Sequence, residues 1–128
     1  MIVTAINGEI VSRTTNTPEW EQYILDKGNA LLQEFGLDEK DWTIKMIDED
    51  GFNAGRCFHR PRVIILSRDF LLDTDIRNVK ETILHEIAHA LEPNGLHNQA
   101  WYDRLIEIGG TGEWHTSSGR INRARVTD

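Results

Sequence analysis

Glu81–Trp101 reads ETILHEIAHALEPNGLHNQAW, and it gathers three of the chain's five histidines within thirteen positions, with a glutamate directly after the first. Its periodicity predicts a helix from Asp75 to Leu91. The polar residues Asp73, Thr74 and Asp75 can start it, and EPNG stops it, because Pro93 brings no N–H and Gly95 favours a turn. At 100° per residue Ile76, Val79, Ile83, Ile87 and Ala90 fall within an arc of about 80°, a coherent buried stripe. His85 and His89 lie only about 40° apart on another face, with Glu86 bordering them. The helix is expected to have an apolar side and an imidazole side.

Residues four apart on a helix hold their Cβ atoms about 5–6 Å from each other, so two ring nitrogens can converge on one zinc at bonds of about 2.0–2.1 Å. Glu86 is displaced around the axis, where a carboxylate can take a proton from water at the metal's open position instead of joining its ligands. HEIAH is thus an instance of H-E-x-x-H. His97, beyond the helix-ending turn, is the expected third ligand, and three protein ligands with one vacancy are the pattern of a catalytic zinc site. Trp101, Leu105 and Ile108 recur at helical spacing after it and are expected to anchor a second helix in the core.

Upstream, Thr17 can cap a helix with Pro18 in its first turn. Trp20, Tyr23, Ile24, Leu31, Leu32 and Phe35 form its apolar face, and Gly36 ends it. DWTIKMIDEDG alternates Trp42, Ile44 and Met46 against Thr43 and Lys45, a half-buried strand followed by the turn pair Asp50-Gly51. Gly55–Phe58 and Val63–Leu66 read as two more strands, with Pro61 in the connection. Near the start, Asn7-Gly8 between β-prone segments predicts a hairpin. The fold class these elements imply is α+β: a small, mostly antiparallel sheet packed against an N-terminal helix and the H-E-x-x-H helix, in one domain over residues 1–128.

A net charge of -7 and a pI near 5.2 disfavour stand-alone binding to a polyanion. Arg120, Arg123 and Arg125 are the exception, in a stretch from about residue 116 that reads as a flexible basic tail and gives nucleic acid only a weak hold. Cys57 is the single cysteine, so no internal disulfide forms. With no signal-peptide pattern and no apolar run of the ~18 residues a bilayer crossing needs, the chain is expected to be a soluble, cytoplasmic monomer.

The sequence resembles the SprT-like zinc metallopeptidases from about Trp42 to Gly110. GRCFHRPRVIILS, ETILHEIAHAL and HNQAWYDRLIEIGG follow one another in the order of that family's strands, H-E-x-x-H helix and later histidine segment. The resemblance implies a zincin fold, His85, His89 and His97 as Zn2+ ligands, Glu86 as general base, and protein or peptide substrates. Some relatives act on proteins near DNA through extra basic or zinc-ribbon regions, and one cysteine cannot build such a ribbon. Asn98 departs from the family pattern, which commonly has glycine after the third histidine.

Two other readings share these residues. A zinc-stabilised binding module without turnover would use the same histidines, and a deformylase-like hydrolase would add Cys57, although its strand-like setting suits a small buried hydrophobe. His59 and His115 have no ligand spacing and are expected at the surface or capping. Glu81, one turn before His85, either orients that ring or faces solvent. Tyr102 and Arg56 are candidates for stabilising an oxyanion.

Overall fold

The computed structural model describes residues 3–6, 9–13, 18–48, 54–68, 74–93, 97–115 and 121–123, with backbone alone for 3–6, 9–13 and 121–123. In chain order the elements are β1 (Val3–Ile6), β2 (Glu9–Arg13), α1 (Pro18–Glu34), β3 (Thr43–Ile47), β4 (Gly55–Phe58), β5 (Val63–Ser67), α2 (Ile76–Leu91), α3 (Gln99–Glu107), β6 (Glu113–His115) and β7 (Ile121–Arg123). The α+β class expected from the sequence is the one observed. β1 and β2 pair antiparallel, as a hairpin requires. The Asn7-Gly8 turn, the Thr17 cap, Asp73, the Asp50-Gly51 turn, Gly95, Arg120 and Arg125 lie outside the described residues.

The central sheet has the order β3-β5-β4 and is mixed: β4 runs antiparallel to β5, while β3 runs parallel to it. Register places Ile44 beside Ile64 and Met46 beside Leu66. These four side chains are buried, and they face the helices. The alternation read in β3 is real, since Thr43 and Lys45 are exposed.

α1 buries Trp20, Ile24, Leu31 and Leu32 against that face, with Tyr23 and Phe35 at the margin. Gly28 lets it come close, because a Cβ there would stand 2.6 Å from Ile44 Cδ1. Arg68, just past β5, ties α1 to the sheet by bonding Glu21, Asp48 and the Met46 carbonyl.

α2 departs from the two-sided helix its stripe suggests. From Ile76 to His89 its residues are buried apart from Arg77 and Lys80, including Asn78, Glu81, His85, Glu86 and His89. The reason is that α1 and β4 pack on one side while α3 and β6 cover the other. A helix covered on both of these sides must find partners for its buried polar groups inside the protein, and those partners build the site. Ile121–Arg123, inside the stretch read as a tail, pair as strand β7 with β6. Among the described residues no helix is long and apolar enough to cross a membrane.

Candidate metal centre

α2 begins at the position its sequence predicts. Asp75 caps it, its carboxylate accepting from the Arg77 N–H at 2.8 Å. Sixteen residues later it ends at Leu91, so His85 lies well inside while His89 belongs to the last turn.

α3 presents the third histidine. Its N-cap is Asn98, whose side-chain oxygen accepts from the Trp101 N–H at 2.9 Å with φ at -86°. A glycine is therefore not needed after His97. Asparagine serves there because capping demands an acceptor in extended backbone, and asparagine is among the strongest N-caps.

The three imidazoles form a near-equilateral triangle, with ring centroids 5.0, 4.9 and 4.9 Å apart for His85–His89, His85–His97 and His89–His97. Nε2 of His97 lies 3.1 Å from Nε2 of His85 and 3.2 Å from Nε2 of His89. Two nitrogens bound tetrahedrally to one zinc at ~2.05 Å stand about 3.3 Å apart, so the spacing fits a shared ion. A neutral imidazole carries one N–H, and a proton on His97 Nε2 cannot point at both neighbours. A cation accepts all three lone pairs together. His85 and His89 are buried and His97 is exposed, so the cluster meets solvent on the α3 side.

Glu86 is fully buried, and its Oε2 lies 4.0 Å from His85 Nε2. β4 passes directly over it at Gly55, where a Cβ would meet Glu86 Cγ at 3.2 Å and Thr82 Cγ2 at 3.1 Å. The carboxylate thus sits beside His85 Nε2 under the edge of the sheet.

Trp101 is the floor of the cluster. Its ring stacks on His89 at 5.3 Å and meets His85 and His97 edge-on at 4.6 and 4.7 Å. Leu105 is buried in the core and Ile108 packs at its margin, as their spacing suggests.

A family model described as SprT-like matches residues 25–124. The chain belongs to the SprT-like family. No curated protein matches it. The SprT-like match runs from α1 to β7 and includes the whole histidine cluster and Glu86.

Other expected residues fall elsewhere in the SprT-like chain. Cys57 lies on β4 and is not in the group that could hold a metal ion. Arg56 alternates with Gly55 and so projects from the sheet face opposite Glu86. Tyr102 is exposed, with its ring centroid 6.5 Å from that of Trp101 and its Cε1 3.8 Å from a Cβ built at Gly112.

Glu81 neither orients His85 nor faces solvent. Its carboxylate accepts from the Thr111 N–H and hydroxyl at 2.9 and 3.1 Å and from the Gly112 N–H at 2.9 Å. A turn earlier, the Asn78 amide bonds both the carbonyl and the N–H of His115 at 2.7 Å. Those two side chains hang the segment before β6, and β6 itself, on α2. His59 does cap: its Nε2 lies 3.0 Å from the His89 carbonyl.

Proposed function

We propose that the chain is a zinc metallopeptidase that hydrolyses peptide bonds in protein substrates, with His85, His89 and His97 as ligands and Glu86 as general base. The convergence of three ring nitrogens beside one buried carboxylate carries the reading. Zinc held there supplies Lewis acidity, polarising a peptide carbonyl and easing the deprotonation of water.

The chain's own part is proton handling and orientation. Glu86 Oε2 takes a proton from the attacking water and later delivers it to the departing amine nitrogen, so the carboxylate is regenerated in each cycle. Burial under β4 fixes where that oxygen stands, which limits the motion that would otherwise misalign it.

β4 is an edge strand of the sheet, and Ala54 accepts from the Ser67 N–H at 2.8 Å. Antiparallel pairing alternates, so Gly55 and Cys57 direct their main-chain groups away from β5. An extended peptide pairing with them would lie beside Glu86 and be held by its backbone, which favours broad specificity.

Glu86→Gln tests the proposal against a zinc-stabilised module that does not turn over. Casein or another unfolded protein is the substrate, and zinc is measured by elemental analysis. The variant should keep its zinc and lose cleavage by at least a hundredfold, as expected for removal of a general base. A wild type that binds zinc and cleaves nothing would favour the module, and His97→Ala should lower the zinc content.

A further inference from the structure

We propose that His59 is a positioning residue for the metal centre, holding the last turn of α2 so that His89 stays in ligand geometry. The inference rests on the reading of His89 as a ligand.

The need for such a residue is written in the chain. An α-helical carbonyl is bonded by the N–H four residues on, which for His89 would be that of residue 93. That residue is proline, which has no N–H, so the usual bond to the His89 carbonyl from four residues on cannot form. The preceding carbonyl is satisfied, with the Glu92 N–H donating to Ala88 at 2.9 Å. His89 is only two residues from the end of α2 at Leu91, in the turn where helices fray first. One of the paired imidazoles therefore sits on the least secure part of its own scaffold.

His59 supplies a donor from outside the helix. It occupies the turn between β4 and β5, and its Nε2 reaches the His89 carbonyl at 3.0 Å. Its ring is held edge-on against Trp42 at a centroid distance of 5.3 Å and an interplanar angle of 87°. Trp42 is 6% exposed and belongs to the core, so the donor comes from a rigid part of the sheet layer. The bond fastens the ligand-bearing turn to the sheet and resists fraying. Metal binding then no longer has to order that turn, and affinity rises accordingly.

His59→Phe keeps a ring against Trp42 and removes the donor, while His59→Gln offers an N–H from a side chain of similar reach. Both are compared with wild type as full chains. Hydrogen exchange is followed at the amides of Ala90, Leu91 and Glu92 without zinc, and zinc affinity is measured by competition with a chelator. H59F should speed exchange in that turn and weaken zinc binding by about tenfold, the lower end for loss of an outer partner of a ligand. H59Q should stay near wild type in both. If H59F does not fold, His59→Asn, too short to reach the carbonyl, replaces it.

Unchanged exchange and affinity in H59F overturn the proposal. So does H59Q failing as badly as H59F, or faster exchange with unaltered zinc affinity, which would reduce the bond to a structural one. A wild type that binds no zinc sinks the ligand reading instead, and the exchange comparison still judges the tie itself.

Discussion

The Trp101 indole N–H donates to the His85 carbonyl at 3.3 Å, so the residue that floors the imidazole triangle is also bonded to the backbone of its most buried member. The bond is long, and the ring contacts matter more. Trp101→Ala should cost about 3–5 kcal/mol through the cavity it leaves, and zinc should be lost to weaker chelators. Trp101→Phe keeps an aromatic floor and drops one hydrogen bond, for about 1 kcal/mol. Urea unfolding compares the three proteins, and equal midpoints for wild type and W101A would refute this role.

Much of this is legible in the sequence. The 3.6-residue spacing in ETILHEIAHAL located α2, and the four-residue interval between His85 and His89 put two imidazoles on one line. What the apolar stripe could not reveal is that the opposite face is buried as well. Burial there comes from α3 and β6, which are brought over by long-range packing. A signal was present: Asn78, Thr82, His85 and His89 recur at intervals of four, three and four, a polar line on a helix otherwise rich in Ile and Leu. The parallel pairing of β3 with β5 was equally hidden, because alternation reports which face is buried and not which neighbour runs alongside.

Glu81 makes three charge-assisted bonds at 5% exposure. Glu81→Gln loses the charge and turns an amide N–H₂ toward groups that themselves donate, so the variant should be destabilised by about 2–3 kcal/mol. Folded E81Q should still bind zinc normally, since the carboxylate contacts the segment before β6. A denaturant midpoint within error of wild type would contradict the clamp.

Gly55 is where the sheet edge meets Glu86, the proposed general base. Gly55→Ala puts a methyl group 3.1–3.2 Å from Thr82 Cγ2 and Glu86 Cγ and 3.3 Å from the Ile65 carbonyl oxygen. Backbone cannot yield easily, so the Glu86 side chain has to shift by a few tenths of an ångström. Cleavage should slow about five- to tenfold, short of the hundredfold that a 1 Å misplacement can cost. Zinc content should be unaltered, and a loss of zinc alongside activity would mean that the strand, not the carboxylate, had moved.

Asp75 makes the start of α2 sensitive to acid. Burial works to raise its pKa, but hydrogen bonds from the Arg77 guanidinium and N–H outweigh burial and hold the carboxyl below its ordinary value of 3.8. A carboxylate whose folded value is depressed stabilises the protein fully above the ordinary value and loses that contribution as pH falls through the folded one. Asp75→Asn keeps a capping oxygen and loses the ion pair; with Arg77 half exposed, the cost at neutral pH should stay below about 1 kcal/mol. Asp75→Ala, which loses the cap as well, should cost about 1 kcal/mol or slightly more. Urea midpoints measured from pH 7 downward should show the gap between wild type and D75N constant until the carboxyl range and then closing. A gap that persists unchanged to about pH 2 would mean that Asp75 is not titrating against a folded-state partner.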